Sequence, residues 1–262
     1  MLREENEGVM GMYEMREPTV KIEICLESVQ SVLAAQEGGA DRVEFCSDLF
    51  EGGLTPTLGA FRTALKHATI PMNVMIRPRG GDFCYTDLEF ETMLEDARIF
   101  KEEGANGIVF GILTPNGQID KERSQLLIDL VRPLEVTFHR AFDMTINGYE
   151  ALEDLILLGV DRVLTSGLEA TVPEGADTLA ELVKQAGKRI IVMPGCGITE
   201  RNFKKMQKQI GASEYHVYLP QEYPSKMLYH PSHIYMGGLL RQNEFSVSGT
   251  EASAVSNIKK LV

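Results

Sequence analysis

Glu23, Glu44, Arg77, His139 and Asp143 are the side chains of this sequence best suited to chemistry, and Cys25 and Cys46 stand close to the first two. Each of these cysteines follows a glutamate by two residues, in Glu23-Ile24-Cys25 and Glu44-Phe45-Cys46. Carboxylates, an arginine and a histidine brought together suit acid/base work on a small anionic or carbonyl substrate. Arg77 would then clamp the anion, His139 would act as general acid/base, and Glu44 or Glu23 would be its partner. A metal-assisted version would draw Glu and His around a hard divalent ion. The plain alternative is a structural ion-pair network, in which removing Glu44 or Arg77 strands a buried partner. The segment Met75–Tyr85 adds Arg79 and Asp82 to Arg77, and Thr137–Asp143 sets His139, Arg140 and Asp143 side by side. Leu164–Gly167 and Met193–Gly197 are small-residue turns, which either pack tightly or offer backbone amides to an anion.

The elements that must position these residues repeat in one order: a short β-branched run, a polar loop, an amphipathic helix, a glycine. Eight runs read as strands: Val20–Cys25, Arg42–Cys46, Met72–Arg77, Gly107–Phe110, Val136–His139, Arg162–Ser166, Ile190–Met193 and Glu214–Val217. Ser28, Thr57, Asp87, Asp120, Asn147 and Thr199 open helices between them, and Gly38, Gly104, Gly159, Gly187 and Gly211 close helices. Strands alternating with helices pair in parallel through right-handed crossovers. Eight units close a single (β/α)8 TIM barrel, an α/β fold. An open doubly wound sheet would want a glycine-rich phosphate motif after its first strand, and the sequence has none there. Ala40–Cys46 also echoes Val160–Ser166, half a barrel away. Tyr223–His233 lacks periodicity and reads as an ordered loop or an interface, and Ala252–Leu261 as the closing helix.

Strand parity then says which side chains enter the barrel. Outward positions must be apolar, because helices cover them. Val20, Ile22 and Ile24 face out, so Lys21, Glu23 and Cys25 face in; Val43 and Phe45 face out, so Arg42, Glu44 and Cys46 face in. The same rule sends Asn73, Met75, Arg77, Thr137, His139, Glu214 and His216 inward. A structural barrel would place Val, Ile and Leu there. Burying so many ionisable groups costs several kcal/mol each unless they pair or bind something.

The chain has 262 residues and a net charge of −12. The length suits one barrel. The acidity disfavours phosphate backbones and anionic membranes, so neither a nucleic acid nor a membrane partner is expected. No apolar run reaches the length of a membrane span. Met1–Pro18 is polar and Glu-rich, reads as a disordered tail rather than a secretory or transit segment, and leaves 19–262 to the barrel. The four cysteines, Cys25, Cys46, Cys84 and Cys196, form no C-x-x-C pair and are expected as free thiols in a reducing compartment. A lone buried cysteine is most often a small hydrophobe.

Several of these segments together resemble the copper homeostasis protein CutC family. They are Ile24–Cys25, Gly38–Cys46, Glu51–Pro56, Val74–Phe83, Gly107–Gly111, Val136–Asp143, Arg162–Gly167 and Val192–Gly195, with the stretches Met-Ile-Arg-Pro-Arg and Thr-Phe-His-Arg-Ala-Phe-Asp the most specific. The resemblance implies a β/α barrel, a cytoplasmic location with the nucleus left open, and assembly into a dimer or tetramer. It also implies one Cu(I) per subunit, held by Cys25 and Cys46. Cu(I) is soft and prefers thiolate, and residues on neighbouring strands lie about 4.8 Å apart, so one ion between two sulfurs is consistent with it. The chain departs from the family in three places. Val217–Pro220 stands where the family has a small basic stretch, Cys196 where it has Gly, and Cys84 where an apolar residue is common. A Cu(I) carrier and an enzyme for a small anionic or carbonyl substrate both stay open, with no reaction assigned to the second.

Overall fold

The structure, a computed structural model, describes residues 20–237 and 243–262. The acidic stretch Met1–Pro18, read above as a tail, lies outside the described residues. Eight strands run in parallel around a barrel: β1 (Lys21–Leu26), β2 (Arg42–Phe45), β3 (Met72–Met75), β4 (Gly107–Phe110), β5 (Glu135–Phe138), β6 (Arg162–Thr165), β7 (Ile191–Pro194) and β8 (Glu214–Tyr218). Neighbours in sequence are neighbours in space from β1 to β7, and β8 pairs with β1. A parallel bridge between Gly195 and His216 closes the remaining gap. The TIM-barrel expectation therefore holds, and with it the parity argument.

Helices cover the outside: α1 (Val29–Glu37), α2 (Leu58–His67), α3 (Asp87–Glu102), α4 (Lys121–Val131), α5 (Gly148–Leu157), α6 (Ala176–Ala186), α7 (Phe203–Ile210) and α8 (Ala252–Lys259). Ser28, Thr57, Asp120 and Asn147 cap four of them by accepting from a backbone N–H in the first turn. Two starts differ from expectation. Thr86, not Asp87, caps α3, because Glu89 three residues on completes a reciprocal capping box with it. Thr199 opens only a turn; its N–H donates to Asn202 Oδ1 at 2.8 Å, and α7 begins after Asn202. The outward faces of the strands, among them Ile22, Ile24, Val43, Phe45, Val74 and Phe138, pack with Phe61, Phe100 and Leu127 of the helices into one continuous apolar core. Each such side chain contributes about 1.5–3 kcal/mol by burial.

Two strand boundaries bear on the site. β3 stops at Met75 rather than Arg77: the Ile76 N–H still reaches Val109 O at 2.7 Å, but the Arg77 N–H turns to Thr55 Oγ1 at 2.9 Å. The Tyr223–His233 stretch is not simply a loop. Its first residues belong to β9 (Gln221–Pro224), which pairs antiparallel with β10 (Ser246–Gly249) in a small arm beyond the barrel. Prolines 220 and 224 frame β9, and its partner strand is distant in sequence, so no local hairpin signal marks it.

Candidate functional site

The barrel interior is built in two tiers, and the parallel register explains why. Glu23 on β1 stands opposite Arg42 on β2 and His216 on β8, and one rung up Cys25 stands opposite Glu44. The lower tier is a chain of charges. Arg42 donates to Glu23 and, at 2.8 Å, to Glu214 Oε2. Arg162 on β6 donates to the same Glu214 oxygen at 2.7 Å and to Thr137 Oγ1 at 3.1 Å. Burial opposes ionisation of Glu23, but Arg42 and then His216 outweigh it and hold the carboxyl well below its ordinary range. Glu214 behaves likewise between Arg162 and Arg42. These charges satisfy one another, which is the condition for tolerating them inside. Arg162 was not among the sequence candidates, although Val163 facing outward would have placed it. Lys21, expected inside, is instead largely exposed at the barrel's lower end, with its amino group 4.0 Å from Glu214.

The upper tier is less well balanced. Cys25 Sγ and Cys46 Sγ each lie 3.4 Å from Glu44 Oε2, so the two thiols converge on one carboxylate oxygen. The register of β1 and β2 sets Glu44 opposite Cys25, and Cys46 sits one step beyond the end of β2. Hydrogen bonding with Cys46 brings the Cys25 thiol down to about 5, against burial and with help from His216. The same contact, then burial, pushes Cys46 well up. Burial, only partly offset by His216, holds Glu44 well above the ordinary carboxylate range. His216 Nδ1 is 2.7 Å from Glu23 Oε1 and its Nε2 is 3.8 Å from Glu44 Oε2. Burial alone would lower the His216 ring, but Glu44, Cys25 and Glu23 raise it well above its ordinary value. Cys25, Glu44 and Cys46 form one set of closely spaced ligand atoms and Glu23, Glu44 and His216 another, each set lying within 4.8 Å.

Beside the thiols lies a cavity of about 270 Å³, lined by Cys25, Glu44, Arg77, His139, His216 and the apolar Met75, Phe83 and Leu164 among others. His139 caps the short 3-10 turn Arg140–Met144: its Nδ1 accepts from the Ala141 N–H at 3.1 Å. Burial, reinforced by Arg77, brings its pKa down to about 3, so the ring is neutral. Gly111 makes room for this ring; a Cβ there would fall 2.4 Å from His139 Cε1. Arg77 uses its Nη atoms on the carbonyls of Glu51, Gly53 and Gly81 and lies over the Phe83 ring.

The sequence candidates thus divide. Cys25, Glu44, Arg77 and His139 line one cavity, and Glu23 reaches it through His216. His216, rather than His139, is the histidine paired with the carboxylates. Asp143 does not join them. The 3-10 turn swings it toward β6, where it accepts from Thr165 Oγ1 at 2.5 Å, from the N–H groups of Ser166 and Leu168, and from Arg140 Nε at 2.8 Å. It clamps the loop after β6. Cys196 and Cys84 are half-buried, and neither lines the cavity; Cys196 Sγ is 3.4 Å from Ala170 O.

Comparison with known proteins extends these observations. The model of the CutC family matches residues 20–219, from the first strand to the end of the last barrel strand. The human copper homeostasis protein cutC homolog is 45% identical over 92% of this chain and 88% of its own. The family protein CutC of Parabacteroides distasonis is 46% identical over 89% and 97%. The crystal structure of CutC from Streptococcus agalactiae superposes with a TM-score of 0.72 at 33% identity, covering 76% of this chain and 98% of that one. A phosphoribosyl anthranilate isomerase from Thermococcus kodakaraensis, at 14% identity and a TM-score of 0.56 over 93% and 98%, shares the fold alone.

Proposed function

This chain belongs to the CutC family, and from that premise we propose that it is a copper homeostasis protein that binds one Cu(I) per subunit through Cys25 and Cys46. The observation that carries the reading is the convergence of both thiols, at 3.4 Å, on a single Glu44 oxygen. Soft thiolates select Cu(I) over hard divalent ions. With Cys25 already lowered to about 5, the ion meets one thiolate and has one further proton, from Cys46, to displace. Copper is here the cargo, and Glu44, in contact with both thiols, is placed to relay the displaced proton. A reducing compartment such as the cytoplasm keeps these thiols available; all four cysteines are free. No helix among the described residues is long and apolar enough to cross a membrane. Assembly into a dimer or tetramer belongs to the same reading, and the arm after β8 leaves Met227, Leu228, Tyr229 and Met236 exposed for such contacts. Anaerobic titration with Cu(I) against a competing chelator tests the proposal. Cys25→Ser/Cys46→Ser is expected to lose affinity by more than about a hundredfold, since even outer partners of a metal ligand are worth about ten- to a hundredfold. Unchanged affinity would overturn it.

One observation favours a second reading, an enzyme acting on a small anionic or carbonyl substrate at the same mouth. Glu23, His216 and Cys25 stand in the order orienter, base, nucleophile, with the Glu23–His216 contact at 2.7 Å. Copper binding by itself has no use for that order. A thermal-shift screen over a broad metabolite panel tests this reading, and no stabilising compound would sink it.

A further inference from the structure

We propose that the cavity beside the thiols is a binding site for a small hydroxylated monocarboxylate, held by Arg77, His139 and Glu44. The proposal rests on the second reading in taking the mouth to hold a small molecule, and names the class of that molecule.

Three buried polar atoms of residues lining the cavity have no partner: Arg77 Nε, His139 Nε2 and Glu44 Oε1. Their residues are 6%, 3% and 2% exposed, so water does not compensate them from outside. A buried polar atom left unpaired costs about 1–3 kcal/mol, and such atoms in a native fold usually wait for a ligand or an ordered water. Three of them around one cavity make a built site. Their types define what fits. The Nη atoms of Arg77 donate to three carbonyls, which carry no net charge to balance the guanidinium. His139 accepts at Nδ1 from a backbone N–H, so its ring proton is on Nε2, the unpartnered atom. Two donors, one of them cationic, bind a carboxylate. Glu44 Oε1 is a further unpartnered polar atom on a residue of the same wall, and a hydroxyl group, which both donates and accepts, suits it.

Size, charge and loop placement narrow the class. At about 270 Å³ the cavity is below the range of drug-sized pockets. Met75, Phe83 and Leu164 give it an apolar wall against which a short carbon skeleton lies. Glu51 also lines it, and the chain is strongly acidic, which disfavours ligands with more than one negative charge. Phosphate in barrels sits on backbone amides of the late loops. Here the glycine turn Gly195–Gly197 after β7 contributes nothing to the lining, so the expectation of an anion on those amides does not extend to this cavity.

Calorimetric titration of the copper-free full chain with lactate and glycerate tests the inference, with propane-1,2-diol and inorganic phosphate as comparison probes. At least one hydroxy acid is expected to saturate a single site, and Arg77→Met to weaken it at least tenfold. Because Arg77 also ties loops together, Leu164→Phe is measured alongside; it fills the cavity without removing a polar group, and the same loss is expected. Equal binding of phosphate or of the diol would overturn the carboxylate class and leave the small-molecule reading standing. Hydroxy-acid binding unaffected by both substitutions would overturn the site. Silence from both acids, with hits from the broad metabolite panel, overturns the inference alone; silence in both experiments overturns the second reading as well.

Discussion

Arg162→Met and Glu44→Gln should have very unequal consequences for stability, although both alter a buried ionisable residue inside the barrel. The Arg162 side chain is 2% exposed and donates to Glu214 at 2.7 Å, to Thr137 at 3.1 Å and to Glu135 at 3.3 Å. Methionine fills much of the same volume and leaves Glu214 with Arg42 at 2.8 Å and the exposed Lys21 at 4.0 Å as its cations. Breaking a buried pair from one side costs about 3–5 kcal/mol. For a chain of this length each kcal/mol moves the midpoint by roughly 2–4 °C, so Tm should fall by about 6–20 °C. Glu44 is a different case. Its Oε1 has no partner and burial favours the uncharged acid, so glutamine copies its shape and adds no charge. The expected change is below about 1 kcal/mol. Urea and thermal unfolding of both variants, with the urea slope checked for constancy, give the comparison. If Glu44→Gln costs as much as Arg162→Met, the upper tier is part of the structural network and the division into a balanced floor and a functional mouth is wrong.

Two further outcomes follow from the same geometry. His139 is held neutral down to about 3 while its ordinary value is 6.5, so in the acid range between them the unfolded chain takes up a proton that the native one refuses. Stability from this group is full above the unfolded value and lost as pH falls. The stability slope near about pH 5 should therefore be shallower in His139→Gln by up to about 1.4 kcal/mol per pH unit, as read from urea unfolding across that range. Asp143→Asn turns an acceptor of several N–H and O–H donors into a partial donor, and should cost about 2–3 kcal/mol in urea unfolding. Its Cu(I) affinity should stay at the parent level in chelator competition, because Asp143 does not line the mouth.

Strand parity was enough to place Glu23, Glu44, Cys25 and Cys46 inside, because a period of two needs only the apolar partners Ile22, Ile24, Val43 and Phe45 to set its phase. The same rule reaches Arg162, whose neighbours Val163 and Thr165 are fully buried. It does not reach pairing. That His216 and not His139 meets the carboxylates depends on β8 closing onto β1, a contact between the two ends of the barrel. Asp143 is misleading for a related reason: four residues after His139 in sequence, it is turned away by one 3-10 turn whose direction no local pattern reveals. The small arm of β9 and β10 was missed because its strands are short, exposed and far apart in the chain, so neither alternation nor a turn motif marks them.

X-ray absorption at the copper edge of the Cu(I)-loaded full chain tests the central claim most directly. Two sulfur neighbours are expected in the parent, and one fewer in Cys46→Ser, with the remaining one assigned to Cys25. A first shell of nitrogen and oxygen alone, or a sulfur count unchanged by Cys46→Ser, would contradict the thiol pair on Glu44 as the copper site.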